Sequence, residues 1–222
     1  ALPPALAGED LIVQAHTGSG KTLVFALAIM QKLDVDQHED AQAVVLCPTR
    51  ELASQVTEVI REVARAYHSI KVSLLCGGTS INRQIDSLAH GTHIIVGTPG
   101  RLEDLIGRGA LFLDRVKTLV LDEADKMMDM GFLPQIQGIL EIIPVKRQNL
   151  LFSATFSQKV ENMSYDFLEF PERVEIAPQA TTADTLSQVY YPVPNLKTKI
   201  QLLDRLLMDE KINRVIGFTR SR

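Results

Sequence analysis

The chain has 222 residues, which suits one domain, or one domain and part of another. Its formal net charge of −4 does not favour nucleic-acid binding, although these totals leave room for a local basic surface. No apolar run approaches the roughly 20 residues that span a bilayer, no signal peptide is evident, and the cysteines lack the spacing of a zinc site.

The first residues and the two cysteines set further expectations. Cys47 and Cys76 each end an apolar run, which predicts buried, reduced thiols in a cytoplasmic protein without a membrane partner. The chain begins at Ala1 without a methionine, so we expect it to be a fragment of a longer protein.

Short apolar segments alternate along the chain with longer segments of helical period. The short segments are residues 11–13, 43–46, 72–75, 94–96, 119–121 and 150–152. Runs this rich in valine, isoleucine and leucine are typical of strands buried on both faces of a sheet. The alternation predicts an α/β domain whose doubly wound parallel sheet carries helices on both faces.

Four segments in this part of the chain have helical periodicity. Residues 21–33 are apolar nearly all round, which predicts a central buried helix. Residues 51–67 have one apolar face, and Thr49 is a candidate N-cap for that helix. Two further apolar stripes predict helices over residues 136–143 and 160–167.

The end of the chain has the pattern of a second α/β domain. Residues 189–193 and 215–218 predict strands, and a stripe of Ile200, Leu203 and Leu207 predicts a helix. Small polar residues before them predict a linker. The expected organisation is therefore a domain over residues 1–178, a linker over residues 179–187 and the start of a second domain over residues 188–222.

A glycine-rich segment follows the first predicted strand and opens the first long helix. It reads AHTGSGKT and consists of Ala15, His16, Thr17, Gly18, Ser19, Gly20, Lys21 and Thr22. In this context, backbone N–H groups at a helix N-terminus can surround a phosphate. Lys21 would contact the β- and γ-phosphates and Thr22 would offer a hydroxyl to Mg²⁺. The alternative is a plain glycine–serine turn, and Ala15 departs from the usual first glycine.

Two carboxylates follow the fifth predicted strand. A carboxylate at the end of a parallel strand near such a loop is where the Mg²⁺ of a nucleotide is held, a role that suits Asp122. Glu123 could polarise the attacking water. The alternative is a solvated acidic turn.

Other unusual segments also come directly after predicted strands. They are residues 48–51, 77–78, 98–101 and 153–155. Ligands of open parallel sheets bind at the carboxyl ends of the strands. These segments are therefore predicted to share one extended functional surface with the glycine-rich loop and the two carboxylates.

The ordered motifs resemble those of the DEAD-box helicases. They are AHTGSGKT, PTRELA (48–53), GG (77–78), TPGR (98–101), DEAD (122–125) and SAT (153–155). The resemblance covers residues 1 to about 178, and residues 215–219 resemble motif IV of the family's second domain. It implies a RecA-like fold and an ATP-dependent RNA helicase that clamps RNA and opens short duplexes.

The resemblance also implies residue roles. Lys21, Asp122 and Glu123 would act in ATP hydrolysis, with Mg²⁺ held by Thr22 and Asp122. The RNA-binding set would be Pro48, Thr49, Arg50, Gly77, Gly78, Thr98, Pro99, Gly100 and Arg101. Backbone N–H groups, hydroxyls and arginines suit phosphates, so recognition should be independent of sequence.

Coupling between nucleotide state and strand separation is implied for a third set of residues. In the family this role belongs to the segments that contain Asp125, Ser153 and Thr155. For the glycine pair, Gly77 and Gly78, a plain turn is an equally good interpretation. Arg50 could be a solvated residue at a helix start, and the SAT segment an ordinary polar strand end.

Several family features are not found in the sequence, and two other functions stay open. The glutamine of the adenine-reading Q motif, the arginine finger and motifs V and VI are not among these residues, so this chain alone should lack RNA-stimulated turnover. A DNA-directed helicase and an ATP-gated RNA clamp would use the same site. Because a piece this small rarely folds alone, residues 188–222 are expected to pack against the first domain or, in preference, against a second copy of the chain, which would form a homodimer.

Overall fold

The computed structural model describes residues 1–16, 18–37, 39–176, 187, 189–208 and 214–217. Its contacts divide the chain into two compact units, residues 1–178 and residues 179–222. The strands are β1 (Leu11–Gln14), β2 (Ala43–Leu46), β3 (Val72–Leu75), β4 (Ile94–Gly97), β5 (Thr118–Leu121), β6 (Gln148–Ser153) and β7 (Glu172–Glu175). The helices are α1 (Leu2–Ala7), α2 (Lys21–Lys32), α3 (Arg50–Ala64), α4 (Ile81–Leu88), α5 (Pro99–Gly107), α6 (Ala124–Asp129), α7 (Leu133–Ile142), α8 (Gln158–Tyr165) and α9 (Leu196–Leu207).

The strands of the first unit form one sheet in the order β3-β4-β2-β5-β6-β1-β7. Every pair of neighbours is parallel. The predicted strands are confirmed as β1 to β6, and each end lies within two residues of its prediction. The sequence does not predict β7, because three of its four residues are the charged Glu172, Arg173 and Glu175. This strand lies at the edge of the sheet, where burial no longer selects apolar residues.

The side chains of the strands alternate between two cores, one on each face of the sheet. In β1, Leu11 and Val13 enter the first core and Ile12 enters the second. Helices α1 to α3 cover the first core, and α4 to α8 cover the second. Phe25 of α2 packs edge-on against Phe152 of β6, with ring centroids 5.3 Å apart. The predicted doubly wound α/β fold is therefore confirmed.

The four helices predicted from periodicity in this unit are confirmed as α2, α3, α7 and α8. The hydroxyl of Thr49 accepts a hydrogen bond from the N–H of Leu52, so Thr49 caps α3 as predicted. Half of the residues of α2 are buried, as expected for a central helix. Leu23, in its first turn, is an exception and is 49 % exposed. The sequence analysis did not predict α1, α4, α5 and α6, of which α1 and α6 have only six residues each.

Both cysteines are buried free thiols, as predicted. Burial raises the pKa of Cys47 and of Cys76, so both thiols stay protonated at neutral pH. Among the described residues, no helix is long and apolar enough to cross a membrane.

In the second unit, the predicted helix is confirmed as α9. The side chain of Asn195 accepts a hydrogen bond from the N–H of Thr198 and caps this helix. Its apolar stripe faces solvent: Ile200 and Leu203 are each 51 % exposed, and Leu207 is 46 % exposed.

The strand predictions for the second unit are wrong where the structure describes the residues. Residues 189–193 and 214–217 form no strand. A strand is held by hydrogen bonds to a neighbour, and no described strand pairs with these residues. The linker prediction for residues 179–187 lies outside the described residues except at position 187, and Phe218 and Thr219 also lie outside them.

Gly97, the last residue of β4, has no space for a side chain. A Cβ added there would lie 2.2 Å from the carbonyl oxygen of Leu75 and 2.6 Å from Cδ1 of Leu102. We predict that Gly97→Ala lowers the free energy of unfolding by about 1–3 kcal/mol, because overpacking forces its neighbours to shift. Urea unfolding followed by circular dichroism measures this change.

Gly138, inside α7, provides the matched control. A Cβ added there meets no neighbouring atom within 4 Å. Gly138→Ala should therefore stabilise the protein by roughly 0.5–1 kcal/mol, the usual gain of alanine over glycine in a helix. Equal stability of the Gly97→Ala variant and the unmodified protein would contradict the packing argument.

Candidate functional site

The carboxyl ends of the strands meet at one edge of the sheet because all strand pairs are parallel. The predicted functional segments directly follow β1 to β6, so the structure brings them to this edge. The glycine-rich loop follows β1 and the two carboxylates follow β5, with β6 between these strands. The strand that precedes the carboxylates and the strand that precedes the loop are therefore not adjacent in the sheet.

The glycine-rich loop needs glycine at two positions for backbone reasons. Gly18 has a φ of 86° and Gly20 a φ of 80°, in the left-handed region that other residues resist. Gly20 is the N-cap of α2 and provides no side-chain hydrogen bond to it. The first N–H groups of α2, including those of Lys21 and Thr22, therefore suit an anionic ligand. Thr17 lies outside the described residues.

A buried ion pair joins the loop to the acidic strand end. Lys21 Nζ lies 3.2 Å from Asp122 Oδ1, and the two side chains are 7 % and 0 % exposed. Apart from this ion pair, the carboxylate of Asp122 forms no hydrogen bond of good geometry with a described residue, although the N–H of Glu123 lies near enough to oppose the rise of its pKa. Burial raises the pKa of Asp122, and the ammonium group of Lys21 opposes this rise only in part.

The unsatisfied carboxylate of Asp122 fits a divalent cation. A buried carboxylate without donors is costly, and a bound cation or its water would relieve that cost. No cluster of three or more His, Cys, Asp or Glu side chains that could hold a metal occurs in the described part of the chain.

Glu123 sits in a strained backbone conformation beside this pair. Its φ is 55° and its ψ is 52°, which is unusual for a residue other than glycine. Its Oε2 lies 2.8 Å from Nζ of Lys126, one helical turn later. The hydrogen bond that Nζ of Lys126 donates to the carboxylate of Glu123 raises the pKa of Lys126. The sequence analysis did not single out Lys126, although its i,i+3 spacing from Glu123 was a signal for an ion pair.

The three residues predicted to act in coupling form one hydrogen-bonded cluster. The N–H and the hydroxyl of Thr155 donate to Asp125 Oδ2, at 3.0 and 2.9 Å. The N–H of Asp125 donates to the hydroxyl oxygen of Ser153 at 3.3 Å. Burial alone would raise the pKa of Asp125, but the hydrogen bonds, chiefly those from Thr155, lower it below its usual range.

The same cluster reaches the glycine-rich loop. The N–H of Ala15 donates to the carbonyl oxygen of Ser153 at 3.0 Å. The loop after β1, the strand end of β6 and the DEAD segment are thus directly connected. Ser153 is the residue that contacts both of the other elements.

Arg50 and Gly78 lie against each other on the other half of this edge. A Cβ added to Gly78 would lie 2.7 Å from Nη1 of Arg50, and Gly78 also has a φ of 78°. Gly78 therefore has two reasons to be glycine. A Cβ added to Gly77 would meet no atom within 4 Å, and Gly77 has no positive φ. Neither packing nor backbone conformation therefore requires glycine at position 77.

Arg101 is held by the segment that follows the glycine pair. Its Nη1 donates to Gln84 Oε1 at 2.9 Å and to the carbonyl oxygen of Thr79 at 3.2 Å. Gln84 in turn donates to the carbonyl oxygen of Cys76 at 3.0 Å. Gln84 is buried and orients Arg101, yet the sequence analysis did not identify it.

The remaining residues of the predicted set begin helices or lie beside them. Thr98 is the N-cap of α5, whose first residues are Pro99 and Gly100. Pro48 is buried at the end of β2, directly before the capping residue Thr49. These residues position the start of α3 and α5 at the functional edge.

The fold and this edge define a class of protein. A glycine-rich loop at a helix N-terminus, a buried lysine–aspartate pair and a doubly wound parallel sheet characterise the RecA-like P-loop domains. The model of the DEAD/DEAH box helicase family matches residues 1–163. The chain therefore belongs to the DEAD/DEAH box helicase family.

Individual proteins support the same assignment. The ATP-dependent RNA helicase DbpA of Escherichia coli is 47 % identical over 208 residues, which cover 93 % of this chain and 45 % of DbpA. The DEAD-box ATP-dependent RNA helicase CshA of Geobacillus kaustophilus is 41 % identical, over 100 % of this chain and 47 % of CshA. The chain thus spans less than half the length of these relatives.

Two solved structures resemble the chain. A DEAD box protein of the hyperthermophile Methanococcus jannaschii matches with a TM-score of 0.73 and 35 % identity, over 94 % of this chain and 55 % of that one. Dbp5 of S. cerevisiae, in a complex that contains ADP, matches with a TM-score of 0.69 and 32 % identity, over 78 % of this chain and 46 % of Dbp5.

The hydrogen bond between the hydroxyl of Thr155 and Asp125 should stabilise the fold in a pH-dependent way. We predict that Thr155→Val lowers the free energy of unfolding by about 1 kcal/mol at neutral pH, because it removes a hydrogen bond to a partly exposed carboxylate. The folded-state pKa of Asp125 is lowered. Its contribution is therefore complete above the unfolded pKa of about 3.9 and is lost as the pH falls through the lower folded value.

Urea unfolding of both proteins at several pH values measures this difference. The difference should stay constant between about pH 7 and 5 and shrink below about pH 4. The control is the same substitution in an Asp125→Asn background, where the difference should not depend on pH. A difference that grows on acidification would contradict the assignment.

Proposed function

We propose that this chain is the nucleotide-binding core of an ATP-dependent RNA helicase, which binds and hydrolyses MgATP and uses it to hold RNA and unwind short duplexes. The observation that carries the proposal is the buried Lys21–Asp122 pair, with an unsatisfied carboxylate beside a helix N-terminus. The names of the relatives DbpA and CshA, both ATP-dependent RNA helicases, support this assignment.

The ATP phosphates would lie on the glycine-rich loop. The backbone N–H groups of residues 17–22 would surround them, and Lys21 would exchange part of its contact with Asp122 for the β- and γ-phosphates. Thr22 and Asp122 would hold Mg²⁺, directly or through water. The metal ion would neutralise the charge that develops on the phosphates. The ADP in the complex of the related Dbp5 supports nucleotide binding.

Glu123 is the proposed general base for the attacking water. Its carboxylate forms an ion pair with Lys126, 2.8 Å from Nζ, and that contact occupies the oxygen that would otherwise reach the water. Glu123 would therefore turn partly away from Lys126 when nucleotide and water are bound. Asp125, Ser153 and Thr155 would carry the effect of nucleotide binding to the rest of the edge, a role supported by their hydrogen bonds.

RNA would lie on the half of the edge formed by the loops after β2, β3 and β4. The proposed contacts are Pro48, Thr49, Arg50, Gly77, Gly78, Thr98, Pro99, Gly100 and Arg101. Arginines, hydroxyls and backbone N–H groups suit phosphates and sugars, so binding would be independent of base sequence. The positions of Arg50 beside Gly78 and of Arg101 on Gln84 support such a surface.

The domain organisation and the location are also proposals. Residues 1–178 would form the RecA-like ATP-binding domain, residues 179–187 a linker and residues 188–222 the start of a second such domain. The division of contacts after residue 178 supports the first boundary. The reduced, buried cysteines support a cytoplasmic location.

Substitution of Glu123 and substitution of Asp122 should impair different steps, ATP hydrolysis in the first case and nucleotide binding in the second. In the full-length protein, we predict that Glu123→Gln lowers ATP turnover by at least roughly 10²-fold and leaves ATP-dependent RNA binding intact, because glutamine keeps the shape but cannot accept the proton. Asp122→Ala should instead weaken binding of the Mg²⁺-nucleotide. Steady-state ATPase rates and titration with a fluorescent nucleotide separate the two effects.

The same measurements on a control variant and on the 222-residue chain complete this experiment. Glu172→Gln, an exposed carboxylate in β7, is the control and should leave both measurements unchanged. The 222-residue chain by itself should show no RNA-stimulated turnover, since it spans less than half of its relatives. Turnover of Glu123→Gln at the rate of the unmodified protein would rule out Glu123 as the base.

Self-association would use the exposed apolar face of α9. We predict that residues 1–222 form a homodimer that is lost on deletion of residues 180–222 or in Leu203→Asp, because a charge on that face prevents its burial. Light scattering at several concentrations measures the mass. Gln201→Asp, on the same helix, is the control and should still dimerise, whereas a monomer at every concentration would contradict the proposal.

A further inference from the structure

A groove runs along the outer edge of β3, between α3 and α4. It has a volume of about 540 Å³ and is bordered by Arg61, Val72, Ser73, Leu74, Leu75, Gly78, Thr79, Ser80, Arg83, Gln84 and Ser87. Because β3 is at the end of the sheet and pairs only with β4, no strand covers this edge. The groove is therefore open along the whole strand, a length of roughly 13 Å at 3.3 Å per residue.

The groove is locally positive although the chain has a net charge of −4. Its lining includes two guanidinium groups and no carboxylate. Neither Arg61 nor Arg83 forms an ion pair with any described residue. Three exposed arginines elsewhere in the described chain, Arg108, Arg115 and Arg173, do have carboxylate partners. Two guanidinium groups that have no ion-pair partner and share a groove without carboxylates favour an anionic ligand.

The two arginines differ in how firmly they are held. Arg61 Nη2 donates to the carbonyl oxygen of Val72 at 2.9 Å, which fixes it beside the first residue of β3 and leaves its other N–H groups available. Arg83, on α4, is exposed and has no hydrogen-bond partner among the described residues. Ser73, Ser80 and Ser87 add hydroxyl donors to the walls between them.

The groove is continuous with the proposed RNA surface. Gly78, which borders the groove, also lies against Arg50. Thr79 and Gln84 border the groove as well and hold Arg101. An RNA strand that leaves the glycine pair would therefore meet the mouth of this groove.

We propose that the RNA backbone continues past the glycine pair into this groove, where Arg83 and Arg61 contact its phosphates. The groove has no aromatic side chain on which a base could stack, so it would recognise the backbone and not the sequence. An acidic peptide would satisfy the same two arginines, but continuity with Gly78 favours RNA. This inference rests on the proposed function, because it extends the same RNA site.

The experiment compares oligouridines of two lengths with the full-length protein and a non-hydrolysable ATP analogue. The shorter RNA covers only the loops after β2, β3 and β4, and the longer RNAs extend it by several nucleotides at one end or the other. Fluorescence anisotropy at a series of salt concentrations gives the Kd and its salt dependence. Only one of the two extensions points into the groove. The unmodified protein should bind the RNA with that extension more tightly than the shorter RNA, and its Kd should depend more steeply on salt.

Arg83→Ala should weaken binding of that longer RNA roughly three- to tenfold and reduce the slope of log K against log salt by about 0.7 for each lost phosphate contact. Binding of the shorter RNA should not change. Arg83→Lys should retain the slope, because the charge is kept. Arg61→Gln, which keeps a donor for the carbonyl of Val72, should give a similar loss without disturbing the fold.

Arg108→Ala is the control, since Arg108 is exposed but paired outside the groove. If Arg83→Ala and Arg61→Gln bind the longer RNAs as the unmodified protein does, the groove proposal is overturned and the proposed function stands. Binding of an acidic peptide that depends on Arg83, with no such effect on RNA, would overturn it in favour of a protein ligand. If the unmodified protein binds neither RNA, the proposed function itself fails.

Discussion

The common direction of all seven strands is the constraint on which the rest of this structure depends. Parallel neighbours cannot be joined by tight turns, so the chain returns between strands mostly through helices that cover the two faces of the sheet. Every loop that leaves the carboxyl end of a strand then begins at the same edge. Residues that are far apart in sequence, such as Lys21 and Asp122, are brought to the same edge for this reason, and the strand order then places them in contact.

Because β6 lies between β1 and β5, its last residue forms hydrogen bonds with the segments that follow both of these strands. Its last residue, Ser153, accepts the N–H of Ala15 through its carbonyl oxygen and the N–H of Asp125 through its hydroxyl. A buried polar cluster of this kind is stable only when its members are satisfied together. If a ligand displaced the loop at Ala15, Ser153 would have to move or lose a hydrogen bond, and its contact with Asp125 would change as well.

The distribution of charge matters more in this protein than its total. Lys21 and Asp122 compensate each other in a buried position where neither would be stable alone, and the carboxylate still lacks hydrogen-bond donors. Such a pair is poised to reorganise around an anionic ligand with its cation. Along β3, the opposite situation holds, because Arg61 and Arg83 have no carboxylate partner although the chain as a whole is acidic.

The sequence by itself determined the buried strands and the long amphipathic helices, because burial on both faces selects continuous apolar runs and burial on one face selects an apolar stripe of helical period. It missed β7, whose charged residues lie at an exposed edge, and it assigned strands near residues 191 and 216, where no described strand pairs with them. Only the tertiary structure decided the strand order, the contact of Arg50 with Gly78, the pairing of Glu123 with Lys126 and the role of Gln84 as a support for Arg101. These features depend on distances between segments that are remote in the chain or on side-chain directions, and local patterns of hydropathy contain neither.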